Sequence, residues 1–415
     1  MTNESIATSR SIAMRSLPWI VLAIGLSYLA FRLWTSDLID LSVYRMGGER
    51  LLHGPPLYDE ADGSGLPFTY PPFSAMMFVP LALMPFGAAQ WVWTGICLLL
   101  LYGVTRLCAD ELPRLLGRPA SWTSLEITAG LMGIGMLLEP IWATFSFGQV
   151  NLLLMWMVLF DGIAVRRGRG ILTGLAAGIK IVPGIFVLFM LLTRRWKDFY
   201  LAAAAGIATV AVGFLVIPAQ AWKYWTELAT DESRVGAPNY AGNQSLNGLV
   251  LRVFGVDASK AIWLGIVLIA ACAGLWAATV LWSRSRLLAL VTVGLVALLA
   301  SPISWNHHWV WMLPITFVLW AVGIRARAAQ LNALGWSSQI VSVLMVAIGI
   351  SGPIWWTPHG DQAEQHLTVL QNIEANSYVL TGIAALAVIV WIAALRSRLF
   401  LDEDSSLEAP MPQAA

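Results

Sequence analysis

Long apolar runs alternate with short polar segments along almost the whole chain. Runs of about 18 to 22 residues recur between residues 17 and 398, each long enough to cross a hydrocarbon core of about 30 Å as a helix. The period-two alternation of a membrane barrel is absent from them. The pattern predicts spans at residues 17–34, 86–107, 125–138, 152–165, 199–216, 261–281, 287–300, 309–323, 339–356 and 378–395. Residues 171–192 form a different kind of run, with basic loops at both ends and a Lys-x-x-Pro break at Lys180 and Pro183. One span cannot have both flanks on the same side, so this run predicts two shorter helices in a hairpin. A proline break at membrane depth needs protein or a wet cavity to take up the freed backbone groups. The expectation is an all-α polytopic membrane protein of about twelve transmembrane helices, with both termini cytoplasmic.

Charge decides which side is which. Basic residues cluster in five short loops: Arg166, Arg167 and Arg169; Arg194, Arg195 and Lys197; Arg284 and Arg286; Arg325 and Arg327; Arg396 and Arg398. Short basic loops stay in the cytoplasm. The segments between them, 35–72, 139–151, 217–247, 301–308 and 355–378, are poor in Lys and Arg and rich in Trp, Asn, His, Asp and Pro. These are expected outside. Residues 1–16 then form a cytoplasmic N-terminus leading into a retained signal-anchor helix, because Arg10 and Arg15 precede the first run and no small-residue cleavage site follows it. Residues 17–398 make one transmembrane domain with an extracytoplasmic loop at 35–85, expected to fold as short interfacial helices and turns. Residues 399–415 form a cytoplasmic tail, acidic, proline-containing and expected to be disordered.

Composition agrees with this reading and narrows the partners. The chain is 58% hydrophobic and 12% charged, against roughly a quarter charged in soluble domains. Its net charge of +1 implies no polyanionic partner, and no basic patch with interleaved aromatics suggests nucleic acid. Cys97, Cys108 and Cys272 have no metal or redox spacing and are expected to be plain packing residues.

Unusual polar residues concentrate in the expected outer segments. DLIDLSVYR, residues 37–45, places Asp37 and Asp40 one helical turn apart at the mouth of the first span, where both can project into one cavity. Tyr70, in the rigid turn TYPPF, suits the wall of that cavity. SPISWNHHWVW, residues 301–311, sets His307 and His308 side by side between tryptophans. Adjacent histidines diverge on a helix, so they make a poor metal pair, and no metal site is expected. Binding of phosphate or hydroxyl groups by one of them is the better reading, with the other structural. FSFGQVN and NYAGNQSLNG add Gln149, Asn151, Asn243 and Asn247. Amides beside aromatics such as Tyr44, Tyr70 and Trp305 are what sugar hydroxyls and ring faces require, and Arg45 stands beside Tyr44. Lys180 is the one lysine deep in an apolar stretch. A cation there is expensive and by default functional; its expected partner is a lipid-linked phosphate or, alternatively, an intramembrane carboxylate or carbonyl, against snorkelling toward the hairpin tip. Arg252, just beyond the Asn-rich loop, is a second phosphate candidate.

The order and spacing of DLIDLSVYRMGGERLLHGPPLYD, LPFTYPPF, FGQVNLLLMWMVLFD, GLAAGIKIVPGIFVLFMLL, NQSLNGLVLR and SPISWNHHWVW resemble glycosyltransferase family 87. These are membrane mannosyltransferases of the GT-C superfamily that use polyprenol-phosphate-mannose, and the likeness is strongest to members acting in phosphatidylinositol mannoside synthesis. The resemblance implies an α-1,2 transfer from that donor to a glycolipid, the pentamannoside being extended to the hexamannoside. The residues themselves call for no cofactor and show no ligand set for a metal, although a carboxylate, a phosphate and waters could bind magnesium weakly. It places the family's essential aspartate on Asp40, through Asp40, Val43 and Tyr44, and its histidine on His307 or His308. A β-linked mannosyl phosphate giving an α product must invert. Inversion calls for one carboxylate base, while the phosphate leaving group needs cations or donors and no second acid. A flippase of lipid-linked sugars is the rival. It predicts coupling residues near span centres, where carboxylates are scarce; Asp161 lies near a cytoplasmic end.

Overall fold

The computed structural model describes residues 3–59, 65–231, 234–258 and 260–400. Helices account for nearly all the regular structure, and the described residues contain no β-strand. In chain order they are α1 Asn3–Leu33, α2 Ile39–His53, α3 Pro72–Ala82, α4 Phe86–Leu116, α5 Ser124–Leu137, α6 Glu139–Phe147, α7 Asn151–Ile163, α8 Ile171–Ile179, α9 Gly184–Leu192, α10 Trp196–Val216, α11 Pro218–Lys223, α12 Leu246–Phe254, α13 Lys260–Leu281, α14 Arg286–Ala300, α15 Met312–Ala328, α16 Asn332–Ser351, α17 Val369–Ala375, α18 Ser377–Ala394 and α19 Arg396–Leu399.

Seven helices among the described residues are long and apolar enough to cross a membrane: Arg15–Leu33 within α1, α4, α10, α13, Asn306–Ala328, α16 and α18. The pair α5 and α6, bent by 74°, makes an eighth if it counts as one span. The spans expected at 152–165 and 287–300 are the shorter apolar helices α7 and α14. The run at 171–192 is two nine-residue helices, α8 and α9, with Lys180 and Pro183 between them. The tail expected to be disordered lies outside the described residues.

Burial divides the helices by role. Every residue of α14 from Leu287 to Leu299 is buried, and α15 is nearly as enclosed. They form the centre, with α4, α7, α16 and α18 packed around them. By contrast, α1, α10 and α13 leave most of their apolar surface outward, including Phe31, Leu215 and Ile269, as helices facing lipid should. Their inner contacts run through small residues. A Cβ at Gly133 of α5 would strike the Val21 carbonyl of α1, and Gly174 of α8 lies against Ala202 of α10 in the same way. Such close backbone approach is how apolar helices associate where the hydrophobic effect no longer separates lipid from protein.

Three boundaries differ from expectation for identifiable reasons. The run at 125–138 does not end in a loop: Leu138 turns extended, and Pro140 opens α6, with Pro at the start of a helix, where its missing N–H costs nothing. α16 begins at Asn332 and stops at Ser351, because Gly352 takes a left-handed conformation (φ 58°) and Pro353 follows. α4 continues to Leu116, its last turns carrying the pairs Arg106–Asp110 and Arg114–Glu111. The loop at 35–85 does contain short helices, α2 and α3, which pack on each other.

Candidate active site

A cavity of about 480 Å³ opens where the loops before α3, α12 and α15 meet the break between α8 and α9. That volume lies in the range of small-molecule sites. Asp40, Tyr70, Gln149, Lys180, Trp305, His307 and His308 all line it, so residues scattered over 270 positions of sequence converge.

Asp40 owes its position to a break in the chain. α1 ends at Leu33, and Leu38, a buried non-glycine residue, adopts a left-handed conformation (φ 46°) that turns the chain into α2. Asp40 then stands in the first turn of α2, where helix amide dipoles favour a carboxylate. The same break separates it from Asp37. Asp37 is exposed and lines a different cavity, so the two carboxylates do not share one, contrary to expectation: they would do so only if the helix ran through Leu38.

One turn after Asp40, Tyr44 is completely buried and stacks on Phe78 with ring centroids 4.5 Å apart. Its hydroxyl lies 2.9 Å from the Tyr70 hydroxyl and donates to Gln149 Oε1 at 2.9 Å. Burial pushes both phenols above their ordinary range, and the nearby Asp40 charge adds to this. Both are therefore neutral donors beside a carboxylate.

Lys180 enters from the opposite partner element. Its Nζ lies 2.9 Å from His308 Nε2 and 3.5 Å from Asn151 Oδ1, 5.4 Å from the centre of the Tyr70 ring, and within electrostatic reach of Asp40. The Trp305 backbone N–H donates to His308 Nδ1 at 3.2 Å. A neutral imidazole accepts at one nitrogen only, so His308 takes a hydrogen bond from one of these two donors while the other stands beside its ring N–H. His307 is buried with neither ring nitrogen hydrogen-bonded among the described residues; its ring meets Phe147 edge-on at 5.2 Å. Its carbonyl is fixed by Thr144 Oγ1 and Asn151 Nδ2, each at 2.9 Å. The turn keeps its backbone rigid and leaves the imidazole available.

Several expected site residues have structural roles. Arg252 is buried away from the cavity, with Nη2 donating to Asn376 Oδ1 at 2.7 Å and Nη1 to the Tyr240 carbonyl at 2.9 Å; its donors already have partners, so a phosphate role is not supported. Arg45 points to the Leu81 and Met84 carbonyls and pairs with Glu49. The Asn243 side chain is saturated by the Pro238 and Pro302 carbonyls and the Ser304 N–H, and Asn247 also donates to Pro302. The Asn-rich loop therefore braces the histidine turn, Asn243 pairing with Trp305 in an isolated bridge. Sequence reasoning missed Asp231, Tyr224 and Arg234, which line the cavity. They lie in or near a loop whose composition is ordinary. Arg234 donates to the Phe68 carbonyl at 3.1 Å, and only the fold brings it here.

A helical membrane protein with a polar cavity that joins a carboxylate, a lysine and an imidazole without a hydrogen-bond partner among the described residues to amides and aromatic faces is built as an integral-membrane glycosyltransferase. The chain belongs to glycosyltransferase family 87, whose profile matches residues 68–302. It is 37% identical over 355 residues to the polyprenol-phosphate-mannose-dependent α-(1-2)-phosphatidylinositol pentamannoside mannosyltransferase of Mycolicibacterium smegmatis, covering 80% of this chain and 82% of that one. It is 32% identical over 394 residues to the polyprenol-phosphate-mannose-dependent α-(1-2)-phosphatidylinositol mannoside mannosyltransferase of Mycobacterium tuberculosis, covering 90% and 89%. No solved structure matches significantly.

Proposed function

We propose that the protein transfers mannose from polyprenol-phosphate-mannose to a phosphatidylinositol mannoside at the extracytoplasmic face of the plasma membrane, forming an α-1,2 linkage with inversion. Asp40 takes the proton from the attacking 2-hydroxyl as the new C1–O bond forms. The bond from C1 to the phosphate oxygen breaks, and polyprenyl phosphate leaves with the electron pair. Lys180 and His307 face the growing negative charge, and preorganised donors of this kind are commonly the largest catalytic term. His308 is a positioning residue that orients Lys180. Tyr70, Gln149, Asn151 and Trp305 offer hydroxyl partners and a ring face to the sugars. The pentamannoside step is favoured within this reading, since identity is higher to the relative named for it, at 37% against 32%. The placement of residues 17–398 as one transferase domain, with both termini cytoplasmic, belongs to the same proposal.

The observation that carries it is the joint presence of Asp40, Lys180 and His307 in the lining of one cavity. In purified protein Asp40→Asn and Asp40→Ala should lower mannosyl transfer by at least about 10²-fold, the range for loss of a general base, while binding of the donor persists. Turnover retained in Asp40→Asn rules out Asp40 as the base.

A further inference from the structure

A second cavity, of about 650 Å³, backs onto the first. The two share walls one residue thick: Ile39 faces the second and Asp40 the first, and Asn306 faces the second while His307 faces the first. The catalytic proposal above makes no use of it.

Its chemistry is mixed in an informative way. Arg32, in the last turn of α1, lies with its guanidinium carbon 3.5 Å from the centre of the Trp142 ring and within electrostatic reach of Glu139 in the same lining. Stacking of this kind leaves the guanidinium edge, with its fork of donors, open to an anion. Glu139 is buried, and its oxygens are taken by Asn306 Nδ2 at 2.6 Å, Trp355 Nε1 at 3.1 Å and the Tyr378 hydroxyl at 2.9 Å. It fixes the floor of the cavity and is not open to a ligand. Asp37 is exposed at the rim. Trp142 Nε1 and Ser146 Oγ, one turn apart on α6 and both in the lining, have no hydrogen-bond partner among the described residues. Trp355 and the largely exposed Trp356 add ring faces.

A site for a bare anion would gain nothing from Asp37. A phosphodiester joined to a polyol uses every element: the phosphate meets Arg32, the hydroxyls meet Asp37, Ser146 and the Trp142 N–H, and sugar faces stack on tryptophan. The cavity also stands at the outer end of the Arg15–Leu33 span, beside the exposed Trp34, at the depth of a membrane headgroup. We propose that this second cavity holds the phosphoinositol end of the glycolipid acceptor, whose mannose chain passes over the shared wall and presents its terminal hydroxyl to Asp40. The inference rests on the acceptor class proposed above.

The test uses the full chain in lipid nanodiscs with polyprenol-phosphate-mannose and two acceptors: a phosphatidylinositol mannoside, and an alkyl α-mannoside lacking the phosphate. Arg32→Gln should raise KM for the phosphorylated acceptor at least tenfold more than KM for the neutral one, and Arg32→Lys should recover part of the loss. An equal rise for both acceptors, or no rise, overturns the site. Competition by inorganic phosphate as effective as that by phosphatidylinositol overturns the headgroup assignment in favour of a simple anion site. If wild-type protein transfers to neither acceptor, the proposed function fails and takes this inference with it; transfer without discrimination by the Arg32 variants removes the inference alone.

Discussion

At the scale of single residues, the sharpest division is between two adjacent histidines. His308 stands between Lys180 on one side and the Trp305 amide on the other, whereas neither nitrogen of His307 has a hydrogen-bond partner among the described residues. The two should therefore fail differently. His307→Ala is expected to lower kcat by about 10²-fold, the size of effect seen when one donor to a developing oxyanion is lost, with a small change in donor KM. His308→Ala releases Lys180 and should act chiefly on donor KM, in the same direction as Lys180→Ala. Steady-state kinetics on the three variants separates these outcomes, and identical kinetics for His307→Ala and His308→Ala refutes the division. The sequence placed both histidines in an outer turn, but the choice between them depended on where backbone amides lie, which residue type does not encode.

At the scale of elements, breaks matter as much as helices. Lys180 and Pro183 were legible as a break because a proline and a charge interrupt an otherwise apolar run, and α8 and α9 form on either side of it. The bend after Leu137 was not legible: residues 139–151 read as a polar outer segment following a span, yet in the structure Pro140 starts α6, and proline suits a helix start as well as a loop. Asn243, Asn247 and Arg252 looked like ligand-binding residues because polarity on an outer loop suggests a ligand. Their partners include carbonyls and amides 55 to 124 residues away, Pro302 and Asn376 among them, and pairings at such range follow from tertiary structure. The α1–α5 contact offers a direct check. Gly133→Leu inserts a side chain against the Val21 carbonyl and should lower the melting temperature of the purified protein by several degrees, overpacking typically costing about 1–3 kcal/mol. Gly265, which has open space around it, is the control position for the same substitution. Equal melting temperatures for the two variants contradict the close approach.

At the scale of the whole molecule, the segments poor in Lys and Arg fold together at one end of the bundle, forming both cavities. The basic loops gather elsewhere, with Arg169, Arg195 and Asp198 in contact. The sidedness proposed here predicts that Leu66→Cys, in the lining of the first cavity, reacts with an impermeant maleimide added to intact cells, and that Ala329→Cys, beside Arg325 and Arg327, reacts only after permeabilisation. Both belong in a Cys272→Ser background, since that cysteine is exposed. The reverse labelling pattern inverts the topology and removes the extracytoplasmic assignment.

The wall shared by the two cavities has a further consequence. Nine residues of chain, from Arg32 to Asp40, connect the cation of one chamber with the carboxylate of the other, and even fully extended their eight steps span no more than about 29 Å. On the acceptor proposal, with a phosphate docked at one end and the reactive hydroxyl required at the other, the enzyme would act as a calliper. An acceptor with too few sugars should then fail to bridge the jaws and one with too many should overshoot them, so transfer should fall for acceptors on either side of the matching length, set by the turn of backbone at Leu38.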